Sequence, residues 1–169
     1  IKMCESYNIQ YKRKYISLMP TNTFGPGDNY NSENSHFIPA ILKKIYEAKN
    51  NNKKYINLWG TGKSKRELMY VDDLADACEF FLRKKTKHTL INIGSGIEKT
   101  VEGYAKFLMK KFQIKLKIKK DLSKPNGTPR KILNSKLAFK YGWKSKVDLN
   151  AGFDLTFKDF SKKYRIWKI

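Results

Sequence analysis

Cysteine is almost missing from this chain: Cys4 and Cys78 are the whole complement in 169 residues. Two thiols make no disulfide framework, and these two show no metal-ligand spacing, so no metal site is expected. That usage points to a reducing compartment, the cytoplasm by default, with each thiol placed in buried packing. Long apolar runs are missing as well. No stretch approaches the roughly 20 residues of a membrane span, and no charged-then-apolar leader is read at the start, so a soluble protein with no membrane partner is expected. Acidic residues number 15 against 36 basic ones, giving a formal net charge of +21. Such an excess raises nucleic acid as a partner. The lysines, however, are spread over the whole length in pairs such as Lys43-Lys44, Lys53-Lys54 and Lys119-Lys120, near expected element ends. This is the pattern of a solvated surface, and nucleic-acid binding is not the expected role. Arginine is the scarce cation, with only Arg13, Arg66, Arg83, Arg130 and Arg165. A chain that uses lysine wherever bare charge suffices keeps an arginine for its geometry.

The stretch from Leu58 to Asp73, LWGTGKSKRELMYVDD, combines a strand end, a turn at Gly60 and Gly62, Arg66, a second strand and a helix start. Read as one wall of a site, Trp59 supplies a flat apolar face and Arg66 a planar fork of donors that fits phosphate or carboxylate. Together they suit a nucleotide diphosphate. On these residues alone a packing tryptophan and an ordinary surface arginine remain the plainer reading. Asp72 and Asp73 are expected to cap the helix that follows.

In chain order, Met3, Tyr7 and Tyr11 share one helical face with no cap before them, as if the chain began inside a helix and formed half of a larger unit. Tyr15 to Met19 reads as a buried strand stopped by Pro20. PTNTFGPGDNYNSENSH then reads as a long loop without regular structure, at a strand's C-terminal end, where ligands collect in open α/β sheets. Ser35 is placed to cap a helix with the stripe Ile38, Ile41, Leu42 and Ile45. His36 sits at that helix start, where the dipole favours a neutral ring fit for proton transfer; a capping or surface histidine is the alternative. Further on come a strand at Tyr55 to Leu58, and a helix from about Asp72 to Arg83 burying Leu74, Ala77, Cys78 and Phe81. A strand at Leu90 to Ile93 follows, then a helix capped by Thr100, and an alternating strand at Ile114 to Lys120. SKPNGTPRK is stiffened by two prolines, turns at Asn126-Gly127 and presents Arg130 and Lys131. A last helix from about Leu149 buries Phe153, Phe160 and either Leu155 or Thr156.

PTNTFGPGDN, NSHFIPAI, LWGTGKSKRELMYVDDLADA, INIGSG and SKPNGTPRKILNS, in this order, resemble the C-terminal half of the GDP-L-fucose synthases, a family of extended short-chain dehydrogenase/reductases. NSH followed by IPA, and SKPNGTPRK, carry the resemblance to that branch. It implies an α/β fold: the last part of a Rossmann-type parallel sheet plus a smaller α/β substrate-binding domain. About 1–35 and 66–95 would contribute to the Rossmann-type core, and about 36–65 and 96–169 to the substrate-binding lobe.

The same resemblance implies an NADPH-dependent enzyme that turns GDP-4-keto-6-deoxy-D-mannose into GDP-L-fucose by 3,5-epimerisation and 4-keto reduction. His36 would be catalytic and would also contact NADP(H). Pro20, Thr21, Asn22 and Thr23 would line the nicotinamide side. Lys44, Trp59, Arg66, Asn126 and Lys131 would contact the GDP-sugar. Lys44 stands where the family usually has arginine, and Asn126 where it usually has aspartate. The family's glycine-rich NADP fingerprint, its serine and tyrosine-lysine group and its acid/base cysteine have no counterpart here. The chain by itself is therefore expected to be inactive, and the full enzyme to be a homodimer through the first helix. Two other readings stand beside this one: the same half of another nucleotide-sugar epimerase or dehydratase, and a basic interaction module that kept the fold without the chemistry.

Overall fold

The computed structural model describes residues 1–31 and 34–164. These form α1 (Lys2–Tyr11), β1 (Ser17–Pro20), β2 (Asn22–Phe24), α2 (Phe37–Asn50), β3 (Tyr55–Trp59), β4 (Lys65–Tyr70) and α3 (Val71–Arg83). The chain continues with β5 (Leu90–Ile93), β6 (Glu98–Thr100), α4 (Val101–Lys111), β7 (Lys117–Asp121), β8 (Arg130–Lys131), α5 (Lys136–Lys140) and α6 (Leu149–Lys163). Parallel pairing dominates this mixed α/β arrangement. β1 runs parallel to β5, and β3 parallel to β7. β4 is the hub, pairing in parallel with β2 through residues 68–70, antiparallel with β6 and in parallel with β8.

β4 also separates two apolar clusters, because successive side chains on a strand point to opposite faces. Leu68 and Tyr70 join Ile38, Ile41, Leu42 and Ile45 of α2, Leu108 of α4, and Phe153 and Phe160 of α6. Met69 turns the other way, to Ala77, Phe81, Ile91, Ile93, Ala138 and Trp143. The α2 stripe and the Thr100 cap are as the sequence spacing predicts, with the Thr100 hydroxyl accepting from the Gly103 N–H at 2.9 Å. The choice on α6 falls to Thr156, which is buried and returns its hydroxyl proton to the Gly152 carbonyl, while Leu155 is exposed.

Several local expectations are overturned. The loop after Pro20 is not irregular throughout: Asn22–Phe24 pairs with β4, and Phe24 packs on Phe153 with ring centroids 4.5 Å apart. Ser32 and Glu33 of that loop lie outside the described residues. Ser35 does not cap α2; His36 occupies the cap position without a side-chain bond, and the Ser35 hydroxyl has no partner among the described residues. Asp72 and Asp73 lie inside the first turn of α3 and do not cap it. Asp73 is buried and accepts from the Lys146 N–H at 2.8 Å, so long-range pairing takes the carboxylate that local logic assigned to the helix end. Cys78 is exposed, not packed, and Cys4 is only partly covered. The face of α1 carrying Met3, Tyr7 and Tyr11 forms, but it is exposed.

Candidate functional site

β1 hands the chain to β2 through Thr21, whose N–H donates to the Ile93 carbonyl at 2.9 Å. Crossing from one sheet to the next in this way leaves Thr21, Asn22 and Thr23 at the mouth between β4 and the start of α2. There a cavity of about 220 Å³ is lined by these three residues with His36, Phe37, Ile38, Pro39 and Leu68. Pro20 lies one residue back, paired with Ile93, and does not line it. The structure thus gathers Thr21, Asn22, Thr23 and His36 from two segments and leaves Pro20 beside them.

Besides the His36 ring, the polar side chains lining this cavity are two hydroxyls and an amide, and the rest of the lining is apolar. Asn22 Nδ2 is spent on the Glu67 carbonyl at 3.1 Å, which fixes the amide and leaves its oxygen as acceptor. His36 is exposed, with extended backbone at the helix N-cap, and its ring makes no capping bond. Its carbonyl accepts from the Ala40 N–H at 3.0 Å in the first turn of α2.

The second group of expected residues assembles around the turn after β3 and the segment running into β8. Trp59 is 53% exposed, against 2% for the core residue Trp143, so about half of its surface is open to solvent. Two ammonium groups lie over its ring, Lys44 at 5.4 Å and Lys124 at 5.6 Å from the centroid. Burial lowers the Lys44 pKa, with Asp121 and Glu47 pulling the other way. A half-desolvated ammonium of this kind gains most when an anion arrives. Lys124 carried no signal in the sequence beyond being one lysine among many.

Arg66 sits opposite Lys131 in the β4–β8 register. Its Nη1 donates to the carbonyls of Lys65 at 2.8 Å and Thr128 at 2.7 Å, so part of the fork holds the 126–131 segment in place. Arg130 is not available to a ligand in the same way. It pairs with Glu98 through Nε and Nη2, both at 2.9 Å, and that bond holds the Glu98 carboxyl below its ordinary range. Lys131, the other cation of the Arg130-Lys131 pair, is exposed. Asn126 Oδ1 accepts from the Thr61 N–H at 2.6 Å and the Thr61 hydroxyl at 2.7 Å, a use for its side chain that sequence reasoning had given to a ligand.

A larger cavity, about 1000 Å³, opens elsewhere, between the end of α1 and the end of α3. Its lining includes Arg13, Lys14, Cys78, Lys84, Lys85 and His88 and contains none of the expected site residues. It is basic and open, with no convergent polar set comparable to the smaller one. Among the described residues no group of histidine, cysteine or carboxylate side chains is placed to hold a metal ion, and no helix is long and apolar enough to cross a membrane.

Comparison with known proteins gives the family of the chain. Residues 1–94 match the NAD dependent epimerase/dehydratase family. GDP-L-fucose synthase 1 of Arabidopsis thaliana is 42% identical over 162 residues, covering 96% of this chain and 50% of that protein. Among solved structures, a GDP-6-OMe-4-keto-L-xylo-heptose reductase from C. jejuni superposes with a TM-score of 0.83 at 25% identity, over 96% of this chain and 58% of that one. A GDP-L-fucose synthetase from Naegleria fowleri, bound to NADP, superposes with a TM-score of 0.82 at 22% identity, over 97% of this chain and 52% of that one, a likeness of fold. The chain spans about half the length of the curated relatives it matches.

Proposed function

The chain belongs to the NAD dependent epimerase/dehydratase family, and from that footing we propose that it is the C-terminal, substrate-binding part of a GDP-L-fucose synthase. In this reading residues of about 1–35 and 66–95 complete a dinucleotide-binding core, and those of about 36–65 and 96–169 form the sugar-nucleotide lobe. The whole enzyme is an NADPH-dependent epimerase and reductase of GDP-4-keto-6-deoxy-D-mannose and works as a homodimer through α1. The observation that carries the reading is that two sets of candidate residues gather along β4 and α2. A cavity lined by Thr21, Asn22, Thr23 and His36 adjoins Leu68 and the start of α2, and a cationic, aromatic set of Lys44, Trp59, Arg66, Asn126 and Lys131 gathers from α2, the end of β3, β4 and the segment running into β8.

The uncharged set fits a nicotinamide, whose carboxamide both donates and accepts, against the apolar wall of Ile38 and Leu68. NADPH supplies the hydride for the 4-keto group. The cationic set fits the diphosphate: Arg66 by its fork, Lys44 and Lys131 as point charges. His36, at the mouth of the cavity, exchanges the proton on a carbon flanking the ketone, which is acidic because the carbanion delocalises onto the carbonyl oxygen. The identity with a named GDP-L-fucose synthase supports GDP as the nucleotide.

A second reading has one observation in its favour. The C. jejuni structure, similar at 25% identity, is named as a reductase of a different GDP-keto-sugar. The experiment that separates them uses protein from the complete reading frame and follows NADPH oxidation on GDP-4-keto-6-deoxy-mannose, with a GDP-4-keto-heptose and UDP- and dTDP-keto-sugars in parallel. GDP-L-fucose as product establishes the first reading. Turnover of another keto-sugar, or none with GDP-sugars, removes it.

A further inference from the structure

Glu67 is fully buried on β4, yet its carboxylate makes no ion pair among the described residues. Its two oxygens are held by backbone N–H groups alone, Oε1 by Gly96 at 2.7 Å and Oε2 by Leu133 at 2.9 Å. Its carbonyl meanwhile accepts from Asn22 Nδ2 at 3.1 Å and from the Thr21 hydroxyl at 3.5 Å. From β4, the strand that carries Arg66, one residue therefore touches three other segments: the β1-to-β2 crossing that lines the smaller cavity, the turn after β5, and the segment just beyond Lys131.

A carboxylate taken out of water is costly unless its lone pairs are met, and an apolar residue at the same place would ordinarily stabilise the core as well or better. What an apolar residue would not supply is two charge-assisted bonds to loops that have no other long-range backbone ladder at those points. The cavity around the carboxylate is shaped for it. A Cβ on Gly94 would press on Oε1 and lie 2.9 Å from the Ser135 hydroxyl, so a side chain there would displace the carboxylate. Ser95 adds a parallel tie, its hydroxyl donating to the Leu68 carbonyl at 2.7 Å.

We propose that Glu67 is a positioning residue that locks the two walls of the site in register, holding the Gly96 turn and the Leu133 end of the 126–133 segment so that Lys131 and Arg66 face the same ligand as Thr21 and Asn22. It touches neither cofactor nor sugar. The part of this that concerns ligands rests on the functional reading above; the part that concerns the loops does not.

Two measurements on protein from the complete reading frame test it. Hydrogen exchange is compared between wild type and Glu67→Gln, with Glu67→Asp as the second variant. Glutamine keeps the shape but turns an NH₂ toward one of the two N–H donors, and aspartate is too short to reach both. Faster exchange at Gly96 and across 126–133, by tenfold or more with the α2 and α4 amides unchanged, is the expected result. Exchange that is unchanged in both variants, or raised uniformly over the molecule, overturns the proposal. GDP affinity is then measured in a cycle of Glu67→Gln with Lys131→Ala. Lys131→Ala should cost at least threefold less affinity in the Glu67→Gln background than in wild type, whereas equal losses in both overturn the claim about the site. If wild type binds no GDP, the functional reading fails, and the exchange data alone still decide whether Glu67 holds the loops.

Discussion

Arg66 and Thr128 are joined side chain to backbone, Nη1 to carbonyl oxygen, across 2.7 Å. This bond sets the distance between β4 and the loop that carries Asn126 and Lys131, so the residue proposed to grip the diphosphate also shapes the place where it binds. Arg66→Lys keeps the charge and loses both the fork and that bond. GDP affinity should fall by about tenfold or more, near 1.4 kcal/mol, with the loss larger than for Lys131→Ala. Titration calorimetry of the complete protein checks it, and equal affinity would remove Arg66 from the site.

His36→Asn should abolish turnover while leaving the fold intact. The ring is exposed and makes no capping bond, so stability should stay within about 0.5 kcal/mol of wild type. Solvent-deuterium exchange into the keto-sugar is the direct readout. Retained exchange at both flanking carbons would show that another group moves those protons.

Lys44 is half-buried beside Trp59 with its pKa lowered by burial. Restoring a bidentate donor by Lys44→Arg should tighten GDP binding a fewfold, and Lys44→Ala should weaken it by about tenfold. Binding to the nucleoside guanosine, which lacks the diphosphate, should not change in either variant.

Gly94 does not need positive φ; it needs the space that Glu67 fills. Gly94→Ala should destabilise the protein by about 1–3 kcal/mol through overpacking, read as a lower denaturant midpoint. Gly142→Ala is the contrast. Nothing lies within 4 Å of a Cβ there, and its cost comes from φ at +97.

Asp76 accepts from Lys146 and, at 2.9 Å, from Trp143 Nε1, and the bond to Lys146 is the first cause of a lowered carboxyl pKa. A depressed folded-state pKa contributes stability that is present above the unfolded carboxylate value, near 4, and is lost as pH falls through the lower folded one. Thermal melts should therefore weaken below about pH 4, and Asp76→Asn should flatten that acid limb. An unchanged limb would show that Asp76 does not contribute to it.

The helix faces and most strands were legible from residue types alone. Ile38, Ile41, Leu42 and Ile45 fall at helical spacing, Thr100 precedes its helix as a cap, and Ile114, Leu116 and Ile118 alternate toward the core. Local rules misread residues whose partners are remote in sequence. Asp73 looked like a cap because it begins a helix, but its carboxylate goes to residues 146 and 147. Asn22 to Phe24 looked like loop because the residues around it are polar, but β4 supplies the missing hydrogen bonds. Cys78 fits the buried stripe by spacing and yet is exposed, because nothing among the described residues covers that part of α3.

The sequence by itself determined where the helices and most of the strands lie, since helical and strand periodicity and turn chemistry are local, and it named His36, Trp59, Arg66 and Lys131 as candidates for a site. Only the tertiary structure decided how those residues are used. It spent Arg130 on Glu98, Asn126 on Thr61 and part of Arg66 on Thr128, and it brought Thr21 and His36 to one cavity. Glu67 shows the reason. Its sequence neighbours look like any strand, and its partners at 21, 22, 96 and 133 are set by long-range pairing that no local pattern encodes.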